Sequence, residues 1–146
     1  MEKKTKLRTY RTFKKNLVME KYLLFEKEKK GRYLLTAIRT GTNKLRIETG
    51  RWKRPVEKQE DRVCIQCGSG EVEDEKHFIL CCNYFRDLRS ELFDEVRGVC
   101  WVDWDSMSME RQWDLLMSGG GSQTGGVGEA LKKYVRKAMH LRTSTD

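Results

Sequence analysis

Apolar residues recur at three- and four-residue spacing over most of the chain, which is the period of helices with one buried face. Leu7, Tyr10, Phe13, Leu17 and Leu24 predict a helix over residues 7–29, with Lys and Arg on its other face and Gly31 ending it. Tyr33 to Thr40 predicts a second, shorter helix, with Gly41 in the place of a C-cap. Between Lys44 and Lys53 the period changes. Leu45 and Ile47 alternate with Arg46 and Glu48, which predicts a short extended piece, turned by Thr49 to Trp52 and closed by Pro55. Asn83 is placed to cap an amphipathic helix from Tyr84 to Val96 that Gly98 stops. Trp101 and Trp104 follow as expected core anchors, with Cys100 just before them as a small buried residue. Ser106 or Ser108 then caps a helix through Met109, Trp113 and Met117. Residues 118–128 are a Gly/Ser-rich linker, and Glu129 to Leu141 is a last helix with Leu131, Tyr134, Val135 and Ala138 on its apolar face and His140 at the surface.

One stretch has no such period. From Cys64 to Cys82 the chain reads C-x2-C-x9-H-x4-C, with Cys64, Cys67, His77 and Cys82 as donors. Four soft donors suit one tetrahedral Zn²⁺, and Gly68, Ser69 and Gly70 permit the tight turn of a knuckle. Glu71, Glu73, Asp74, Glu75 and Lys76 between the donors are too polar for a hidden strand, so Glu73 and Asp74 are expected to open a helix. Cys81 is the alternative fourth ligand. On an unbroken helix it shares a face with His77 at i+4, whereas Asn83 as a cap would make the chain leave that helix near Leu80 and free Cys82 to swing back. The fold class is therefore mainly α, a small helical domain with a zinc-knuckle-like Cys3His insertion. Its three segments are a basic helical part (1–58), the zinc module with its following helix (59–98) and the C-terminal helices (99–146).

Charge adds a second feature. Residues 1–58 hold 19 Lys and Arg against 6 Asp and Glu, whereas residues 59–118 hold 6 against 14. A basic half of this size is an electrostatic footprint for RNA or DNA, bound non-specifically and in a salt-sensitive way. Arg46, Arg51, Trp52, Lys53 and Arg54 are the candidate contacts, the arginines and lysine for phosphate and Trp52 for stacking on a base. Trp52 covering the zinc module is the other reading of the same residues. The longest apolar run, Phe78 to Cys82, is too short to span a membrane, and the basic N-terminus has no apolar segment behind it. Both features lead us to expect an intracellular protein, in nucleus or cytoplasm, where metal binding outranks disulfides. A Cys3His site has no open position for an activated water, Asp103 and Asp105 stand without a supporting carboxylate cluster, and the chain has no P-loop. No catalysis is expected.

Two flanking motifs carry a resemblance. I-R-T-G-T-N-K-L-R-I-E-T-G-R-W (Ile38 to Trp52) and E-V-E-D-E-K-H-F-I-L-C-C-N-Y-F-R-D-L-R (Glu71 to Arg89) resemble the zinc-binding region downstream of the polymerase in non-LTR (LINE-type) retrotransposon reverse transcriptases. The resemblance runs from about Leu34 to Leu92. One departure is the doubled Cys81-Cys82 followed by Asn83, where the family has a single cysteine followed by Pro; the family's spacing points to Cys82. The resemblance implies a retrotransposon-derived zinc module without its polymerase and endonuclease domains, contacting nucleic acid through the basic half. The alternatives are a zinc-stapled module binding a protein partner through the C-terminal helices, and an element remnant with no function.

Overall fold

The computed structural model describes residues 7–14, 23, 27–100, 103–118 and 126–144, with the backbone alone at 8, 12, 13, 143 and 144. The architecture is helical. Among the described residues the sole β feature is one antiparallel bridge, Val63 to Val72. Helix α1 is Arg8–Phe13, and Lys14 is already extended. Most of the rest of the predicted 7–29 helix lies outside the described residues, as do Lys3, Lys4, Lys6, Lys15 and Trp101.

Helix α2 is Lys29–Thr40, so Gly31 sits inside a helix and does not end one. A helical glycine costs only about 1 kcal/mol relative to alanine, and the buried Leu35, Ala37 and Ile38 of the same helix outweigh it. Gly41, at φ 74°, caps α2 as expected, its N–H donating to the Ala37 carbonyl at 3.1 Å.

The piece from Leu45 to Trp52 is helical and not extended: α3 is Arg46–Thr49, continued by a 3-10 turn over Gly50–Trp52. Leu45, Ile47 and Glu48 are all buried. Neighbours such as Ile47 and Glu48 would point to opposite faces of a strand. The first N–H groups of α3 find their acceptors on a distant residue. Arg46 donates to Glu73 Oε1 at 2.8 Å and Ile47 donates to the Glu73 carbonyl at 3.1 Å. A buried acid therefore caps this helix from across the fold, a pairing that local periodicity does not encode.

Helix α4 spans residues 75–81, α5 is Arg86–Val99, α6 is Met109–Ser118 and α7 is Gly126–Ser144. Gly98 lies within α5, contrary to its expected role as a stop. Ser108 caps α6, its Oγ accepting from the Arg111 N–H at 3.3 Å. Helix α7 starts three residues before Glu129, inside the expected linker, whose residues 119–125 are not described. A Cβ on Gly126 would stand 2.9 Å from Val99 Cγ1, so this crossing needs glycine.

Helices α5 and α7 pack along each other, with α2 and α6 also against α7. Leu92, Val96, Leu131, Val135 and Ala138 fill the seam, and Phe78 of α4 makes edge contacts with Phe85 and Tyr134. Leu35 and Ile38 of α2 and Trp104 join the same core, so all three predicted segments contribute to one core. Cys100 is half-buried. The solvent edge of the α5–α7 seam is charge-matched, with Glu91 to Lys137 at 2.7 Å and Glu95 to Lys133 at 3.4 Å. Among the described residues no helix is long and apolar enough to cross a membrane.

The acids of E-V-E-D-E depart most from expectation. Glu73 and Glu75 are each 1 % exposed. Glu73 receives the Arg142 guanidinium of α7, at 2.6 Å from NH2 and 3.0 Å from Nε. Glu75 accepts from Thr9 Oγ1 of α1 at 3.1 Å and from Asn43 Nδ2 at 3.0 Å. Buried charge persists only when paired, and here the pairing ties both chain ends to the centre. Truncating Arg142 to alanine should leave the Glu73 carboxylate short of a partner and cost about 3–5 kcal/mol of stability, measured as a lowered urea midpoint with unchanged slope. Glu73→Gln combined with Arg142→Met should recover a large part of that loss.

Candidate metal centre

Two structural units bring the donors together. The first is the loop from Arg62 to Glu73. Its ends are held by Glu73 N–H to the Arg62 carbonyl at 3.0 Å and Cys64 N–H to the Glu71 carbonyl at 2.8 Å. Gly68 and Gly70 turn the tip with φ of 65° and 77°, where a side chain would be strained. Cys64 and Cys67 are carried on the first arm of this knuckle.

The second unit is α4. Asp74 caps it, its Oδ1 accepting from the His77 N–H at 2.8 Å. The helix does not leave near Leu80, as the sequence suggested. It stays helical through Cys81 but widens over His77–Cys81 into a π-turn. The Cys82 N–H donates at 2.7 Å to the His77 carbonyl, five residues back and not four. This stacks Cys82 above His77 and turns Cys81 away, so that Cys81 Sγ lies 3.9 Å from Met109 Sδ. Asn83 makes no capping bond at the turn that follows, so the expected reason for preferring Cys82 is replaced by the wide turn.

A widened, interrupted helix leaves carbonyls without intrahelical donors. Tyr134 of α7 donates to the Phe78 carbonyl at 2.5 Å. The buried Arg89 of α5 donates through Nε to the Ile79 carbonyl at 3.0 Å and through NH2 to the Cys82 carbonyl. Burial pushes the Tyr134 hydroxyl pKa up, so it serves as a neutral donor.

The donor atoms of Cys64, Cys67, His77 and Cys82 all lie within 4.8 Å of one another. Cys64 Sγ and Cys82 Sγ are 3.8 Å apart, and Cys67 Sγ is 3.4 Å from His77 Nε2. Metal–sulfur bonds of about 2.3 Å and metal–nitrogen bonds of about 2.0 Å give tetrahedral edges of about 3.8 Å and about 3.5 Å. The group can hold one metal ion with four protein ligands. Burial pushes the Cys64 thiol up to about 12 and also raises Cys82. Burial acts the same way on Cys67, but hydrogen bonds from the Ser69 side chain and backbone and from His77 outweigh it and bring that thiol down to about 6. Ser69 Oγ accepts from the Cys67 thiol at 3.2 Å and from the Glu71 N–H at 3.2 Å; once Cys67 is a thiolate, the hydroxyl's own proton can turn to the sulfur.

Sequence reasoning passed over Glu71. Its Oε2 is 2.8 Å from His77 Nδ1, while Nε2 faces the cysteines. A carboxylate on the outer nitrogen fixes the tautomer and raises the basicity of the inner one. The only signal in the sequence is an acid six residues before the histidine, which has no periodic meaning because the two stand on different units.

The proposed nucleic-acid contacts are not equivalent. Arg46 pairs with Glu57 at 2.6 Å and Arg51 pairs with Glu48 at 2.9 Å, so both are held by the fold. Lys53 is exposed and reaches Glu57 only at 3.5 Å; Arg54 is exposed and donates to the Lys53 carbonyl. Trp52 is 66 % exposed and lines a groove that includes none of the four metal donors. No family model, curated protein or solved structure matches the chain.

In a competition titration against a chromophoric chelator, Cys82→Ser should lose most of the zinc affinity and Cys81→Ser should keep it. Glu71→Gln should weaken binding by about 10- to 100-fold while the fold stays intact. Equal affinity for Cys82→Ser and the parent chain would remove Cys82 from the site.

Proposed function

We propose that the chain is a non-catalytic zinc module of the kind found downstream of the reverse transcriptase in non-LTR retrotransposons, and that it contacts nucleic acid through its basic N-terminal half. The observation that carries this reading is the interlock of the two motifs behind the resemblance. L-R-I-E-T-G-R-W and V-E-D-E-K-H lie far apart in sequence, yet Arg46 and Ile47 of the first donate their N–H groups to Glu73 of the second. Gly50 of the first motif is also constrained, because a Cβ there would stand 2.6 Å from Arg62 Cγ at the base of the knuckle. The motif residues thus make sense as one unit built round the Cys3His group.

Zn²⁺ is the metal that three thiolates, one imidazole and tetrahedral spacing suit best. Cys64, Cys67, His77 and Cys82 would hold it, and with no fifth donor position it supplies structure and not an activated water. The second reading, a protein partner on the C-terminal helices, has less support. The apolar faces of α5 and α7 are buried on each other, and the exposed large apolar residues beyond Asn83 are Tyr84, Val99, Met109 and Leu141 among the described residues.

The test is fluorescence anisotropy with zinc-loaded protein and labelled single-stranded RNA and DNA. Affinity should be about 10⁻⁴–10⁻⁶ M at physiological salt and fall steeply as salt rises. Lys53→Glu and Arg54→Glu should each flatten the salt slope by about 0.7. Arg46→Glu should act mainly on stability, because its partner Glu57 is within the fold. An affinity indifferent to salt would overturn the electrostatic reading.

A further inference from the structure

One groove stands apart from the metal centre. It lies between α2 and α7, has a volume of about 520 Å³, and is closed at one side by the Thr42–Lys44 turn and Trp52. Its floor is apolar, from Ala37 and Ile38 on α2 and Val135 and Met139 on α7. Tyr33 and Trp52 line it while remaining 67 % and 66 % exposed. Two large aromatic faces left in water beside an apolar hollow are an unused stacking surface.

The charge around it identifies the occupant. No carboxylate lines the groove, and Lys44 and His140 do. The hollow beside Trp113, by contrast, is lined by Asp74, Glu75, Glu110 and Asp114. Lys30 stands three residues before Tyr33 on α2, hence on the same helix face. Arg54 follows two residues after Trp52. Lys30, Lys44 and Arg54 are exposed, and none of them forms an ion pair with an acid among the described residues. A purely apolar partner would gain nothing from these cations. A flat base with phosphates on either side uses both the aromatic faces and the charges.

We propose that this groove takes one unstacked base of a single-stranded nucleic acid, stacked on Trp52 with Tyr33 opposite, while Lys44 and Arg54 meet the adjoining phosphates. This deepens the nucleic-acid reading given above and rests on it. It separates two kinds of contact: the basic residues supply sequence-independent attraction, and the groove supplies a contribution that depends on a base being present. Trp52 is exposed, so its replacement tests binding without disturbing the core.

The experiment compares the zinc-loaded parent chain with Trp52→Ala and Trp52→Phe on three probes of equal length: oligouridine, oligothymidine and an abasic oligomer. Loss of one stacked base should weaken Trp52→Ala by about 5- to 150-fold on the ribo- or the deoxyribo-oligomer. The abasic oligomer should bind all three chains within about twofold, and Trp52→Phe should keep most of the parent affinity. Thermal midpoints should be equal. Parent-like binding of Trp52→Ala to both base-bearing probes would overturn the proposal, as would an equal loss on the abasic probe. So would an effect of Trp52→Ala seen only in sedimentation or on anionic vesicles, since the groove would then take a second copy or a lipid surface. A parent chain that binds none of the probes would instead overturn the nucleic-acid reading beneath it.

Discussion

The hydrogen bond from the Cys82 N–H to the His77 carbonyl sets the geometry on which the rest of the domain depends. A regular α-helix would offer Cys81 to the histidine's face. Widening the last turn by one residue offers Cys82 and leaves Cys81 against Met109. The distortion is not free, because it exposes carbonyls inside the core. Their satisfaction by Tyr134 and Arg89 recruits α7 and α5 to the end of α4. The ligand geometry and the packing of the two longest helices are thus consequences of one local change in helix winding.

The opposite end of α4 works through charge. Three successive acids face three directions. Glu73 reaches α3 and Arg142, Asp74 caps the helix itself, and Glu75 holds Thr9 of α1 and Asn43. Each buried carboxylate is costly alone and tolerated only with its donors in place. Such a network favours one arrangement of distant segments over looser ones, which an apolar contact of the same size would do less selectively. The Cys3His group takes two of its donors from the widened turn and borders this network through the knuckle that ends at Glu73, so metal binding there is expected to be coupled to order in the flanking helices.

Helical class, the four donors and the apolar face of α7 were legible in the sequence because each is a local pattern: a period, a spacing, a stripe. The errors have a common cause. Leu45 to Trp52 alternates like a strand but is helical because Glu73 caps it from elsewhere. Gly31 and Gly98 read as breaks, and Gly126 and Gly128 as linker, yet α2 and α5 run through the first two and α7 begins at Gly126 and runs through Gly128. Glu73 and Glu75 read only as polar residues at a helix start, because their partners, Arg142 and Thr9, are more than sixty residues away. Glu71 gave no signal because its role depends on which imidazole nitrogen faces the cysteines. The preference for Cys82 agrees with the structure for a different reason from the one the sequence offered, since no residue pattern announces a π-turn.

The most direct measurement is amide hydrogen exchange on the full chain with zinc bound and after its removal. If α4 is the hub, stripping the metal should lower protection at Cys64, Glu73 and Cys82 and, in the same step, in the middle of α5 around Arg89 and of α7 around Tyr134. Loss confined to the knuckle between Arg62 and Glu73, with α5 and α7 fully protected, would contradict that coupling and reduce the metal to a local staple.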